Sequence, residues 1–149
     1  MNSEHQKRTL VIIAEDDPDD RLLIRDAIRE AAPERVDVRF VQDGAEMLDY
    51  LYRRGAYQDS QKSPSPELVL LDINMPRKTG LEVLEEIKRD PALRTIPVLL
   101  LTTSRSPEHI ARSYELGGAG FVTKPNSFTE LVDLMRSIER YWFKTVELP

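Results

Sequence analysis

The 149-residue chain has no cysteine, which excludes disulfides and thiolate metal sites and suits a reducing compartment such as the cytoplasm. It lacks long apolar runs as well: the longest are about five residues, against the roughly 20 needed to cross a bilayer. Its first residues, MNSEHQKRT, form no apolar signal core. Positive charge is short too. A net charge of -5 and a pI near 5.1 weigh against a nucleic-acid surface, which needs clustered Lys and Arg. With only His5 and His109, both read as surface residues, and a single Trp142, nothing suggests a histidine base or a haem ligand. What remains is a charged, one-core chain expected to be cytoplasmic, away from membranes and nucleic acid.

Five short apolar runs alternate with helix-period segments. The runs are TLVIIA (9–14), VDVRFV (36–41), ELVLLD (67–72), IPVLLL (96–101) and AGFVT (119–123). Leu23, Ile24, Ala27, Ile28 and Ala31 recur at helical spacing, as do Met47, Leu48, Leu51 and Tyr52, and Leu81, Val83, Leu84 and Ile87. A weaker pattern covers Ile110 to Leu116, and a fifth runs from Phe128 to Trp142. Strands that read as continuous apolar runs, each followed by a helix, predict a parallel sheet covered on both faces, the doubly wound α/β class. The segment 55–67, rich in Ser, Pro and Gln, is expected to be a long surface loop without chemistry.

Directly after the first run the chain reads EDDPDD, five carboxylates in six positions. Asp17, Asp19 and Asp20 suit a helix N-terminus, with Asp17 as cap, Pro18 at the first helical position and the other acids offsetting the macrodipole. Glu15 and Asp16 end the strand instead. In a doubly wound sheet, ligands gather beyond the carboxyl ends of the strands, where Asp72 closes the third run. Three carboxylates there require a raised pKa or a cation, and all-oxygen ligands favour Mg2+. Thr102 and Lys124 end the fourth and fifth runs at the same rim. Together a cation, a hydroxyl and an ammonium suit the oxygens of a phosphoryl group.

AEDD, LLDINMP with Gly80 four residues past the proline, LLLTT and FVTKP, in this order, resemble the receiver domain of two-component response regulators. The resemblance implies a flavodoxin-like (β/α)5 fold with strand order 2-1-3-4-5 and a receiver over residues 8–141, flanked by tails 1–7 and 142–149 with no output domain. It also implies that Asp72 accepts a phosphoryl group from a histidine kinase. Asp16 then matches the direct Mg2+ ligand, Glu15 the one acting through water, and Asn74 the backbone-carbonyl ligand. Thr102 and Lys124 match the phosphoryl-holding pair, Phe121 the aromatic switch that follows Thr102, and Lys124–Pro125 a cis bond. Such a protein is not an enzyme beyond assisting its own phosphorylation and dephosphorylation.

The tail IERYWFKTVELP and the long 55–67 segment resemble the regulators paired with bacteriophytochrome light sensors, with a downstream phosphotransfer protein as a further partner. Tyr141, Trp142, Phe143, Val146 and Leu148 predict a homodimer that uses the helix 4, strand 5, helix 5 face and the tail. Two alternatives are a degenerate receiver, which would lack one of Asp72, Thr102 or Lys124, and a haloacid-dehalogenase-type phosphatase. The latter needs an acid where Asn74 stands.

Overall fold

The computed structural model describes residues 9–31, 36–103 and 105–145. Its strands are β1 (Thr9–Ala14), β2 (Val36–Val41), β3 (Leu68–Leu71), β4 (Val98–Thr102) and β5 (Gly120–Thr123). They form one parallel sheet in the order β2-β1-β3-β4-β5, as expected. Helices α1 (Pro18–Ala31), α2 (Gly44–Leu51), α3 (Gly80–Arg89), α4 (Pro107–Glu115) and α5 (Phe128–Ile138) connect and cover it.

Strand alternation divides the core in two. Leu10, Ile12, Val69, Leu71, Val98 and Leu100 face α2 and α3, meeting Met47, Leu48, Val83, Leu84 and Ile87. Val11, Ile13, Leu68, Leu70, Leu99 and Leu101 face α1 and α5, meeting Ile24, Ala27, Ile28, Leu131, Met135 and Ile138. Each such Val, Leu, Ile or Met side chain removed from water contributes about 1.5–3 kcal/mol. Among the described residues no helix is long and apolar enough to cross a membrane.

Two local expectations change, at Leu23 and His109, and the loop 55–67 gains detail. Leu23 is 45% exposed although it shares the apolar spacing of α1, because it stands at the helix edge beside Lys124 and Pro125 rather than over the sheet. The 55–67 segment is a mostly exposed loop, as expected, and it is fastened to the body of the protein. Tyr57 packs on Tyr50 with centroids 4.9 Å apart and donates to Glu46, Tyr50 donates to the Pro64 carbonyl at 2.8 Å, and Ser63 is buried. His109 is half-buried on α4 rather than at the open surface; His5 lies outside the described residues.

Beyond Ile138 the chain widens into a π-helical segment, Glu139–Thr145, that carries the helical path past residue 141. Trp142 folds back against the α1/α5 half of the core, while Tyr141 stays exposed. The side chains of Phe143, Val146 and Leu148, also assigned to the apolar tail, lie outside the described residues.

Candidate functional site

The carboxyl ends of β1, β3, β4 and β5 deliver the site. Each apolar run stops on a polar residue at this rim, so burying the strands fixes Glu15, Asp72, Thr102 and Lys124 without further devices. The Glu15 amide donates to Val41 O at 3.0 Å and its carboxylate accepts the Asp17 amide at 3.2 Å. Asp17 then accepts the Asp19 amide at 2.8 Å, which starts α1 as the acid-rich stretch predicts.

Lys124 is the centre of the cluster. Its ammonium donates to the Glu15 carboxylate and to Asp72 Oδ2, the latter at 3.0 Å, and pairs with Asp20 Oδ2 at 3.5 Å. Asp72 Oδ1 accepts the Asn74 amide at 3.0 Å. Burial alone would lower the Lys124 pKa, but its bonds to Glu15 and its attraction to Asp72 raise it above the usual lysine value. Burial pushes the Glu15 carboxyl up, and Lys124 only partly offsets this. The pocket is therefore a desolvated acid pair neutralised by one tethered cation.

Glu15, Asp72 and Lys124 come together as predicted, and Asn74 joins them through its backbone. Asp16 stands exposed at the rim. Thr102 is fully buried at the end of β4, and its carbonyl accepts the Lys124 amide at 2.8 Å. Because Leu100 pairs with Phe121 and Thr102 with Thr123, Thr102 and Phe121 project on the same side of the sheet. Among the described residues no peptide is cis, so Lys124–Pro125 is trans, correcting the expectation. The trans form is the lower-energy isomer even before proline.

No three acidic or histidine side chains among the described residues are already gathered as a metal group. The donor set still suits a hard divalent cation: all its atoms are oxygen, and the two buried carboxylates already require a positive charge between them.

Sequence reasoning missed three residues here. Asp20, which the sequence marks only as a helix-dipole acid, also pairs with Lys124, and nothing in the sequence signals that role. Asp43 caps α2 and accepts both Arg77 Nε at 2.8 Å and Arg77 Nη2 at 3.0 Å. Glu46, three residues after Asp43, marks that cap in the sequence. Nothing in the sequence distinguishes Arg77 from other surface arginines.

Residues 11–136 match the model of the response regulator receiver domain. The chain belongs to the response regulator receiver family. This receiver is 34% identical to the response regulator Rcp1 of Synechocystis over 149 residues, covering 100% of this chain and 99% of that protein. Its fold matches the phosphorylated cyanobacterial phytochrome response regulator RcpA with a TM-score of 0.88 at 36% identity, covering 96% of this chain and 99% of that one. It also matches RPA3017, a response regulator in red light signalling of R. palustris, at a TM-score of 0.89 and 36% identity, covering 95% and 98%. Rcp1 itself has been solved in a Mn2+-bound form, which matches at a TM-score of 0.84 and 35% identity over 95% and 99%.

Proposed function

We propose that this receiver takes a phosphoryl group onto Asp72 from a sensor histidine kinase of the bacteriophytochrome type. The observation that carries this reading is the Lys124 ammonium closed on Asp72 and Glu15, a preformed positive contact on an otherwise repulsive carboxylate. An Asp72 oxygen attacks phosphorus, the bond from phosphorus to the kinase imidazole nitrogen breaks, and that nitrogen keeps the electron pair. Lys124 holds a phosphoryl oxygen while the Asn74 amide keeps the other Asp72 oxygen in place. Glu15, Asp16, Asp72 and the Asn74 carbonyl would hold Mg2+, which when bound supplies neutralisation of the phosphoryl charge.

The acyl phosphate adds about -1.5 to -2 charges at the rim. Thr102 turns its hydroxyl toward them, and Phe121, on the same side of the sheet, follows into the space vacated. The α4–β5–α5 face carries the change to a second copy, giving a homodimer, or to a downstream phosphotransfer protein. Nucleic acid and membrane are not partners in this reading. It is tested with acetyl phosphate or beryllofluoride and Mg2+ on the whole chain, read by intact mass. Modification of the parent and none of Asp72→Asn is expected. A phosphoryl adduct on Asp72→Asn overturns the assignment.

A further inference from the structure

Arg77 lies five residues past Asp72, in the β3–α3 loop, with a backbone φ of 66°. Residues other than glycine adopt such a conformation sparingly, so something must hold it. The Lys78 amide closes the turn around Arg77 on Pro76 O at 2.7 Å, and the Arg77 side chain is anchored by Asp43. Its two carboxylate oxygens take the two-pronged guanidinium at 2.8 and 3.0 Å, and Oδ1 also accepts the Glu46 amide at 2.8 Å. Asp43 is only 7% exposed, although Arg77 reaches it from the surface. The Arg77 hydrogen bond draws the Asp43 pKa below the usual carboxylate range.

One carboxylate thus both starts α2 and ties that start to the loop after the phosphoacceptor. The two backbones touch there: a Cβ on Gly44 would lie 2.4 Å from Lys78 O and 2.6 Å from Val83 Cγ2. Within the loop, Met75 and Gly80 amides both donate to Ile73 O, at 3.2 and 3.0 Å, and the Asn74 amide donates to Asp72. Residues 73–80 are therefore fastened to Asp72 at one end and to α2 in the middle.

We infer that Asp43 and Arg77 form a positioning pair for phosphoryl transfer, holding the loop so that the Asn74 backbone stays in register with Asp72. The pair touches neither the phosphoryl group nor the cation. It acts through the peptide units of the loop, as outer partners of metal ligands do. This rests on Asp72 as phosphoacceptor and Asn74 as carbonyl ligand.

The test measures acetyl-phosphate incorporation into the whole chain as a function of Mg2+, Mg2+ binding by calorimetry, and the thermal midpoint. It uses the parent, Arg77→Ala, Arg77→Lys, Asp43→Asn and the double variant Asp43→Asn/Arg77→Ala. Asn still caps a helix, so Asp43→Asn removes the charge pair and spares α2. Arg77→Ala and Asp43→Asn should each raise the half-saturating Mg2+ concentration about tenfold. The rate at saturating Mg2+ should stay near that of the parent. Arg77→Lys, which keeps the charge but not the fork, should fall between. The double variant should be no worse than either single one, because both break the same link.

Parent-like Mg2+ dependence in both single variants overturns the pair, as does a loss that merely tracks a lowered thermal midpoint. The calorimetric arm keeps the two readings apart. A parent that binds Mg2+ but takes up no phosphoryl group overturns the phosphoacceptor role, while the Mg2+ titrations of the variants still decide the pair.

Discussion

A lysine closed on two buried carboxylates neutralises them before any other cation arrives. Lys124→Ala leaves Glu15 and Asp72 facing each other in a desolvated pocket, so its cost extends beyond phosphoryl transfer. Breaking a buried pair of this kind costs about 3–5 kcal/mol, a fall in thermal midpoint of roughly 6–20 °C for a domain this size. Scanning calorimetry at pH 7 should show that fall, with millimolar Mg2+ restoring more of it in the variant than in the parent. Asp43 responds to pH in the direction of a carboxylate held low. With its folded pKa below the ordinary 3.8, its pairing stabilises the fold above that pH and is lost as pH falls through the folded value. The stability gap between parent and Arg77→Ala should therefore be full at neutral pH and close below about pH 4, as followed by urea unfolding at a series of pH values. The acids at strand ends were legible in the sequence because each interrupts an apolar run. Asp20 and Arg77 were not, since their roles depend on which side chains from segments far apart in the chain meet at the rim.

At the scale of elements, α3 has two starting devices that separate stability from chemistry. Thr79 and Glu82 form a reciprocal capping box, and replacing Thr79 with Ala should cost about 1 kcal/mol with phosphorylation nearly unchanged. Gly80 is different. A Cβ there would lie 2.3 Å from the Asp72 carbonyl oxygen and 3.0 Å from Ile73 Cα, both backbone, so the loop carrying Asp72 must move. Gly80→Ala should cost about 1–3 kcal/mol and depress acetyl-phosphate incorporation well beyond Thr79→Ala, a contrast that intact-mass time courses will display. The inner strands β1, β3 and β4 were readable from apolar runs because each is buried on both faces, whereas the edge strands β2 and β5 are mostly half-buried and read less cleanly. The fastening of 55–67 was not readable, because it comes from Tyr50 and Tyr57 reaching backbone and acid far along the chain, and composition records no such pairing.

For the whole molecule, topology follows from five strand–helix repeats and the right-handed crossovers they require. The end of the chain was harder to read. An apolar run of aromatics suggests a mating surface, yet Trp142 packs onto the molecule's own core. Truncation after Arg140 should therefore lower the thermal midpoint as well as shift the proposed dimer toward monomer in light scattering with beryllofluoride. A monomer at high concentration with and without beryllofluoride would remove the dimer and leave the tail as packing.

The helix on the proposed output face is also the one least rooted in the protein. Of the residues in α4 only Ser113 is buried, its hydroxyl turned back to Ile110 O, whereas α3 buries Val83, Leu84 and Ile87 and α5 buries four apolar side chains. A helix with so little apolar anchorage opens at a small fraction of the global unfolding free energy. Its amides should exchange with deuterated solvent well before those of α3 and α5. In the proposed switch, the moving part is thus an element that the rest of the core scarcely needs in order to stay folded.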